Sequence, residues 1–461
     1  MIKRNQLSII NHLLPGSQLL GDDQAFSGLS IDTRTIQPGE LFIALQGPNF
    51  DGHDYIATAK QQGAVAAVVE KPIGAEKTGG KLISQLVVED SRIALGLIGQ
   101  INREDFSGPL VALTGSSGKT TVKEMLAAIF KQQGPTLFTA GNLNNDLGAP
   151  LTLSRLTAEH QYAVIELGAN AVGEIAYTSR LSQPTICLIN NVMAAHLEGF
   201  GSLEKTAQAK GEITQGLVDN GIAVFNADDQ FFDYWKTLLS ANQQLLSFSV
   251  TNTEANVYAT HVELIDQGFR FKIHLLDHCF SVTLPLPGRH NIANALAAAT
   301  AAFAAGCSPQ SIAVGLGEMQ AVAGRGVQLS GKKGSRLIDD TYNANPGSVK
   351  AAIQLLAQYP GKRVLVLGDM AELGEKAGEL HFEVGQFARQ QGLDGLYAVG
   401  LHTEQCVIGF GEGAQHFTNK AELVEFLDKQ LSESLVVLIK GSRSAKMETV
   451  VAACRTTGGN S

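Results

Sequence analysis

Short runs of consecutive apolar residues recur along the chain and alternate with stretches in which the apolar residues follow helical spacing. Such runs are typical of strands that are buried on both faces of a parallel sheet. They predict two series of strands separated by helices: 110–113, 162–165, 185–190 and 222–226, then 336–339, 363–368, 395–399 and 435–440. We therefore expect an α/β fold with mostly parallel sheets that carry helices on both faces.

Two segments depart from this alternation. Between residues 246 and 286 polar and apolar residues alternate one by one, as in the stretch 269–273, which predicts an appended antiparallel piece. The alanine-rich stretch 291–305 predicts a buried helix that closes the central part of the chain.

The order of these patterns divides the chain into three predicted domains. Residues 1–84 carry short strand and turn signals and end near an exposed Gly/Lys-rich loop, which predicts a small N-terminal α/β domain. Residues 85–316 predict a central parallel-sheet domain. Residues 317–461 predict a Rossmann-like C-terminal domain, but no GxGxxG follows its strand at 363–368, so we expect no dinucleotide site there.

The composition limits the class of protein. Of the 461 residues, 44% are hydrophobic and 17% are charged, which is typical of a packed globular protein. The net charge of −9 argues against non-specific nucleic-acid binding, so local cations, loop amides or metal ions must hold any polyanionic ligand. The five dispersed cysteines favour reduced thiols, and the first residues do not resemble a signal peptide. We therefore expect a cytoplasmic protein without a membrane span.

The strand at 110–113 leads into a glycine-rich loop at 114–121, with the sequence TGSSGKTT, and then into a helix predicted over 122–132. Such a loop turns backbone N–H groups toward one point at the positive end of a helix dipole, where they bind phosphate. Lys119 would reach the outer phosphates and Thr120 would ligate Mg²⁺. The general motif has a glycine in place of Leu113, and the alternative is a tight strand-to-helix turn with an exposed lysine. The context favours a nucleotide triphosphate site in the central domain.

Three further residues of the central domain have chemistry of interest. Glu166 ends a strand, where a carboxylate either holds Mg²⁺ in phosphate-loop enzymes or caps a helix, and both interpretations are open. His196 follows the next strand; a lone histidine is usually structural, but α/β sheets bind ligands at this edge. Lys210 lies in a polar helix, and its spacing alone predicts a solvated lysine.

Asparagines mark two other segments of this domain. Asn142, Asn144 and Asn145 either form turns or recognise a ligand without adding charge. Asn291 precedes the alanine-rich helix, where the simplest interpretation is a helix cap.

The C-terminal domain adds three polar segments. Arg325 lies between two glycines, an arrangement that presents a guanidinium group to phosphate. The polar turns 339–346 and 440–443 each follow a strand. Because both strand ends carry groups that can bind ligands, they predict a cleft at this edge.

Many ordered segments resemble the Mur ligase family, and the resemblance covers essentially the whole chain. The shortened phosphate loop is the usual form in that family. The most specific stretches, in chain order, are DTRTIQPGELFIAL, DGHDY, TGSSGKTT, GNLNNDLGAPLTL, ELGANAVGEI, AHLEGFGS, GRHNIANALAAA, DDTYNANPGS, LGDMAELGE and KGSRSAKME.

The resemblance implies a three-domain ligase, in which the first domain binds a UDP-sugar, the central phosphate-loop domain binds ATP, and the last binds the incoming amino substrate. The stretch at 339–346 resembles the members that join D-alanyl-D-alanine to a UDP-MurNAc-tripeptide in peptidoglycan precursor synthesis. The implied reaction uses ATP and Mg²⁺, passes through an acyl phosphate and requires domain closure around the reactants. We expect the chain to act as a monomer.

The resemblance also assigns roles to single residues. Lys119 would contact the phosphates, and Thr120 and Glu166 would serve Mg²⁺. His196 would bind a second metal ion, supported by Lys210 in carbamylated form. The rest of the nucleotide site would comprise Gly115, Ser116, Ser117, Gly118, Thr121, Asn291, Asn294, Arg325 and Asp340. The substrates would contact Ser30, Asp32, Arg34, Asp51, His53, Asn142 and Asn345.

Two alternatives are open. One is another amino-acid-adding ligase of the same family, such as the tripeptide-forming enzyme or a folylpolyglutamate synthase. Tripeptide-forming enzymes that add a diamino acid typically carry a DNPR motif, which this sequence lacks. The other is a nucleotide-regulated binding protein without catalysis. The presence of four residues argues against it: Lys119, Glu166, His196 and Lys210.

Overall fold

The computed structural model describes residues 1–78, 82–193, 197–266 and 268–456. Within these residues the strands form three main sheets that follow one another along the chain, and β4 (Gln46–Gly47) and β5 (Phe50–Asp51) form a separate two-stranded sheet. Each main sheet is mostly parallel and is covered by helices, which confirms the predicted α/β class. Within the described residues, no helix has the length and apolar character needed to cross a membrane.

The first sheet is small and has five strands in the order β1-β7-β6-β3-β2, with only the β1–β7 pair antiparallel. Helix α3 packs Leu95 and Ile98 into the same apolar cluster as Leu86 of this sheet. The elements are α1 Leu7–Leu13, β1 Gln18–Leu20, β2 Leu29–Ser30, β3 Leu41–Ile43, β4 Gln46–Gly47, β5 Phe50–Asp51, α2 Ile56–Gln61, β6 Ala66–Val69, β7 Ser84–Val87 and α3 Ser91–Glu104.

The central sheet has nine strands and supplies the largest core. Its elements are β8 Leu110–Thr114, α4 Lys119–Lys131, β9 Thr136–Phe138, α5 Gly148–Ser154, β10 Tyr162–Glu166, α6 Glu174–Ser182, β11 Ile186–Ile189, α7 Leu197–Phe200, α8 Leu203–Gly211, β12 Ile222–Asn226, α9 Phe232–Lys236, β13 Gln244–Ser249, β14 Val257–Ile265, β15 Gly268–Leu275, β16 His278–Leu284, α10 His290–Ala304 and α11 Pro309–Gly317. The strand order is β16-β15-β14-β13-β12-β11-β8-β10-β9. Strand β8 lies between β10 and β11 and is apolar on both faces, because helices cover both sides of the sheet.

The pattern-based predictions for this sheet are confirmed for β8, β10, β11, β12 and the alanine-rich helix α10. The antiparallel piece predicted over 246–286 is confirmed for β14–β16. It is wrong for its first residues, which lie in β13, because this strand pairs in parallel with both β12 and β14. The helix start predicted at Val122 is wrong, because α4 begins at Lys119 directly after the left-handed Gly118. The loop therefore delivers its lysine and threonines on the first helical turn.

The third sheet has six strands in the order β17-β18-β22-β19-β20-β21, and only the β17–β18 pair is antiparallel. The four strands predicted in this part are confirmed as β18, β19, β20 and β22. The elements are β17 Val327–Ser330, β18 Arg336–Asp340, α12 Pro346–Leu356, β19 Lys362–Gly368, α13 Ala377–Gln390, β20 Gly395–Val399, α14 Glu404–Phe410, β21 Ala414–Phe417, α15 Lys420–Gln430, β22 Leu435–Lys440 and α16 Glu448–Cys454.

The limits of the three domains stay a proposal, with one adjustment. Strand β7 begins at Ser84, so a limit between residues 84 and 85 would divide the first sheet. We therefore place the end of the first domain beyond Val87 and keep the second limit near residue 316.

Candidate functional site

The phosphate-binding loop lies at the carboxyl edge of the central sheet, between β8 and α4. Gly118 has a φ of 76°, a left-handed conformation that glycine adopts without steric cost. A Cβ at this position would lie 2.4 Å from Asn294 Oδ1 and 2.6 Å from Asn190 Nδ2. A glycine is therefore required here both by the backbone conformation and by the close packing of the two asparagines.

The phosphate loop has backbone donors that no protein group in the described residues uses. The backbone N–H groups of residues 118–121 have no acceptor in the described part of the chain, as expected for the first turn of a helix. Lys119 Nζ donates to the Gly115 carbonyl at 2.7 Å. Burial lowers the pKa of Lys119, the charge of Glu166 raises it and the charge of Arg325 lowers it further. The free backbone N–H groups of residues 118–121 lie at the start of a helix and form a site suited to a phosphate group.

Glu166 and Thr120 form a buried oxygen pair beside the loop. Glu166 is only 2% exposed, and its Oε2 accepts a hydrogen bond from Thr120 Oγ1 at 3.0 Å. Asn144 Nδ2 donates to the other carboxylate oxygen at 2.8 Å. Asn144 thus fixes the orientation of the carboxylate, a role that its sequence pattern left open between turn and ligand.

Arg325 reaches the same place from the C-terminal part of the chain. Its Nη2 donates to Thr120 Oγ1 at 2.9 Å, and its guanidinium lies 3.9 Å from the centroid of the Tyr342 ring. Its Nε is buried without a hydrogen-bond partner in the described residues. Because a buried donor without a partner is costly, this geometry favours an anionic ligand at the guanidinium group.

A second polar group of the C-terminal part surrounds Asp340. Lys440 is 3% exposed and donates through Nζ to Asp340 Oδ2 at 2.7 Å and to the Asn343 carbonyl at 2.8 Å. Asn345 caps helix α12, since its side chain accepts the Ser348 N–H at 2.8 Å. The two polar turns predicted at strand ends therefore lie side by side.

These groups line one cleft of about 820 Å³ between the central and C-terminal parts. Of the residues expected at the site, those on its walls are Ser116, Ser117, Gly118, Lys119, Thr120, Thr121, Asn142, Glu166, Asn291, Asn294, Arg325, Asp340 and Asn345. The cleft does not include the five expected residues of the first domain.

Lys210 lies outside this lining, on helix α8, and its solvated state predicted from spacing is wrong because the side chain is 1% exposed. Its Nζ lies 5.4 Å from the centroid of the Phe200 ring. Its pKa is lowered to about 7, chiefly by burial and also by the charge of Lys119, while the charges of Glu174 and Glu212 raise it. His196, the expected second metal ligand, lies outside the described residues.

The expected contacts of the first domain form two local clusters. The Asp32 carboxylate pairs with Arg34, whose side chain is 86% exposed, and this pairing lowers the pKa of Asp32. The Ser30 hydroxyl donates to the Asp32 carbonyl at 3.1 Å. Asp51 Oδ1 lies 2.6 Å from His53 Nδ1, and the backbone and ring of His53 lower the pKa of Asp51. Of these side chains, that of Arg34 is the most open to an external ligand.

One expectation about an asparagine is wrong, and two further asparagines at the site were not expected. Asn291 is not the cap of α10, because that helix begins at His290 with Arg289 as its N-cap. The Asn291 side chain instead donates to the Pro287 carbonyl at 2.6 Å. Sequence reasoning missed Asn190 and Asn191, which contact the phosphate loop, although their position directly after strand β11 is a signal that could have identified them.

Sequence profiles of three Mur ligase domains match the chain. The Mur ligase family catalytic domain matches residues 25–98, the Mur ligase middle domain residues 113–302, and the Mur ligase glutamate ligase domain residues 324–443. The UDP-N-acetylmuramoyl-tripeptide--D-alanyl-D-alanine ligase of Escherichia coli K12 is 45% identical, with 98% of each chain covered. The Bacillus subtilis 168 protein of the same name is 31% identical, also with 98% of each chain covered.

Solved structures agree with these matches over most of the chain. MurF from Acinetobacter baumannii superposes with a TM-score of 0.89 at 39% identity and covers 97% of both chains. The MurF ligase from Thermotoga maritima in complex with ADP has a TM-score of 0.80 at 28% identity, with 92% of this chain and 96% of that chain covered.

Proposed function

Because the chain belongs to the Mur ligase family, we propose that it is the ATP-dependent ligase that joins D-alanyl-D-alanine to a UDP-MurNAc-tripeptide. The main structural support for ATP-dependent catalysis lies beside the free amides of the phosphate loop, where the Thr120 hydroxyl is hydrogen-bonded to both Glu166 and Arg325. The identity of the substrates is supported by relatives of that name that match over nearly their whole length.

The reaction has two steps, and the first requires that the negative charge of the reacting phosphate groups be neutralised. A carboxylate is a poor electrophile, so the terminal carboxylate of the tripeptide attacks the γ-phosphorus of ATP, and ADP leaves. The amine of D-alanyl-D-alanine then attacks the acyl carbon, a proton is lost and phosphate leaves. Lys119 and Arg325 would offset the negative charge that gathers on the phosphoryl group, because phosphoryl transfer depends chiefly on positioning and electrostatic stabilisation.

The residues around Glu166 fit a magnesium ion. Among the described residues, no three His, Cys, Asp or Glu side chains are grouped closely enough to hold a metal. Magnesium does not need such a cluster, because it binds through one or two protein oxygens together with substrate phosphates and water. The Thr120 hydroxyl and the Glu166 carboxylate would supply those oxygens. The ion would neutralise phosphate charge when bound.

We propose that Lys210 carries a carbamate. Its buried amine has a pKa of about 7, so a large fraction is neutral near neutral pH and can attack CO₂ with loss of a proton. The product is an anionic oxygen group, which is a suitable ligand for a hard cation. His196 and the modified Lys210 would then serve a second metal ion.

The remaining assignments are part of the same proposal. The first domain would bind the UDP precursor through Ser30, Asp32, Arg34, Asp51 and His53, and the last would bind D-alanyl-D-alanine near Asn345. All five cysteines, which lie in the described part of the chain, are free thiols, in keeping with a cytoplasmic location. We further propose that the active form is a monomer.

The test is ATP-dependent phosphate release with UDP-MurNAc-tripeptide and each candidate amine. We expect turnover with D-alanyl-D-alanine and little with free diamino acids or glutamate. Turnover with those amino acids alone would assign the chain to another ligase of the family. Nucleotide binding without turnover for any amine would favour a nucleotide-regulated binding protein.

A further inference from the structure

Two consecutive asparagines, directly after strand β11, both direct their side-chain amides at Ser117 of the phosphate loop. Asn191 Oδ1 accepts the Ser117 N–H at 2.9 Å, and Asn191 Nδ2 donates to the Ser117 carbonyl at 3.1 Å. Asn190 Nδ2 donates to the same carbonyl at 2.9 Å. Both acceptor positions of the Ser117 carbonyl are therefore engaged by side-chain amides.

Fixing this carbonyl also fixes the direction of the next N–H. In a planar trans peptide the C=O and the N–H point in opposite directions. Because the Ser117 carbonyl faces the asparagines, the Gly118 N–H of the same peptide faces away from them. Gly118 lies on the wall of the cleft, and its N–H has no acceptor in the described residues. Turning this peptide over would present a carbonyl oxygen in place of a donor to an anionic ligand.

The asparagine segment is itself held from the opposite side. Asn226, at the end of strand β12, donates through Nδ2 to the Asn190 carbonyl at 2.9 Å. The Asp229 carboxylate accepts the Val192 N–H at 2.7 Å. These bonds anchor the segment to the rigid sheet, so the two side-chain amides have a fixed position relative to the loop.

Asn190 keeps its position at a cost. The residue is 1% exposed, and its Nδ2 lies between two acceptors, the Ser117 carbonyl and Asn294 Oδ1, which sets the orientation of the amide. Its Oδ1 is consequently buried without a partner among the described residues. An unpaired buried acceptor destabilises a folded protein, so a purely structural role is a poor account of this residue.

We propose that Asn190 and Asn191 are positioning residues that hold the Ser117–Gly118 peptide with its N–H directed at a phosphate of the bound nucleotide. The inference rests on the proposed nucleotide binding. It predicts that the two residues act on the phosphate part of the nucleotide and leave the recognition of adenosine unchanged.

The test uses the full chain with Asn190→Ala, Asn191→Ala and the double substitution, and Asn242→Ala as a control at an exposed asparagine. Binding of ADP and of adenosine is measured by calorimetry, together with the KM for ATP and for D-alanyl-D-alanine and the melting temperature. We expect the double variant to bind ADP about tenfold more weakly, because one charge-assisted hydrogen bond loses its alignment. Adenosine affinity and the KM for D-alanyl-D-alanine stay unchanged.

Each single variant retains one amide at the Ser117 carbonyl, so we expect a smaller loss of ADP affinity than in the double variant. If the double variant does not fold, the single variants still allow the comparison of ADP with adenosine binding. Equal losses for ADP and adenosine, or an ADP affinity unchanged in all three variants, would overturn the inference alone. Failure of the unmodified chain to bind ADP would overturn the proposed function together with it.

Discussion

Arg325 Nη2 donates a hydrogen bond to Thr120 Oγ1 at 2.9 Å, although the two residues are separated by 205 positions in the sequence. Thr120 lies on helix α4 of the central part, and Arg325 lies just before strand β17 of the third sheet. The same hydroxyl donates to Glu166, so a cation, a hydroxyl and a buried carboxylate form one chain of contacts across the cleft. The guanidinium also stacks on Tyr342, which restricts its plane.

We predict that Arg325→Lys lowers kcat by about 100- to 1,000-fold, because an ammonium group cannot keep both the stacking on Tyr342 and the contact with Thr120. Phosphate release measures the effect. Arg336→Lys is the matched control, since Arg336 also stacks on a tyrosine, Tyr359, but is exposed and away from the cleft. Equal loss in both variants, or activity in Arg325→Lys close to that of the unmodified chain, would contradict the role of Arg325.

Glu166→Gln is expected to weaken the effect of magnesium rather than nucleotide binding itself. The amide keeps the size of the side chain but removes the negative charge that a divalent cation requires. We expect the Mg²⁺ concentration for half-maximal activity to rise at least about tenfold, while ADP binding in the presence of EDTA stays close to that of the unmodified chain. Glu159→Gln, at an exposed position before strand β10, serves as the control. An unchanged Mg²⁺ requirement would remove Glu166 from the metal site.

The local sequence was sufficient to predict the buried strands and the phosphate loop, but not the contacts that complete the site. Strand β8 and the glycine turn of the loop could be predicted from neighbouring residues, because an apolar run and a glycine at a strand-to-helix turn are local features of the sequence. The burial of Lys210 depends on packing from distant elements, so the polar helix pattern around it gave the wrong expectation. Asn190 likewise donates a hydrogen bond to Ser117, 73 residues earlier in the chain. The spacing of residues in the sequence does not predict such a long-range contact.

Gly118→Ala tests the left-handed cap of helix α4. A Cβ there would be strained at a φ of 76° and would collide with the side chains of Asn294 and Asn190. We expect a loss of about 2–5 kcal/mol in the free energy of unfolding, measured by denaturant titration. Gly306→Ala is the control, because its φ is 91° but nothing lies within 4 Å of the added Cβ, so only the backbone strain of about 1–2 kcal/mol remains. Equal losses of unfolding free energy in the two variants would show that Asn190 and Asn294 can move aside to make room for the methyl group.

The carbamate on Lys210 is expected to depend on pH. At a fixed concentration of dissolved CO₂, carbamate formation should rise as the pH passes through about 7, because the neutral amine is the form that reacts. It should continue to rise until the site is fully modified, because the reaction releases a proton. The signal is followed by ¹³C NMR of protein equilibrated with labelled bicarbonate. Lys210→Ala should lose the signal and most activity, with partial recovery by short carboxylates, whereas Lys205→Ala, at an exposed position on the same helix, should retain both.

The unmodified amine also links Lys210 to stability. Its folded pKa of about 7 lies below the ordinary value of 10.5, so the unfolded chain binds more protons between these values. Stability of the carbamate-free protein should therefore increase as the pH rises through this window. A fully active Lys210→Ala variant would contradict the carbamate role.

Arg34→Ala is expected to affect one substrate only. The guanidinium is 86% exposed and held by Asp32, so its removal costs little stability but deletes a cation available to the UDP precursor. We expect the KM for UDP-MurNAc-tripeptide to rise about tenfold, with no change in the KM for ATP. Lys3→Ala, an exposed cation in the same part of the chain, is the control. A KM for the tripeptide that matches the unmodified chain would exclude Arg34 from that site.

Thr120 lies on helix α4 of the central part, and Arg325 lies just before strand β17 of the C-terminal part. A ligand that contacts both residues therefore stabilises one relative placement of these two parts. Linkage is reciprocal: whatever factor the nucleotide adds to the affinity for a substrate on the C-terminal part, that substrate adds to the affinity for the nucleotide. A substitution on the C-terminal part that changes this factor therefore also shifts the concentration of ATP at which the protein is half-saturated.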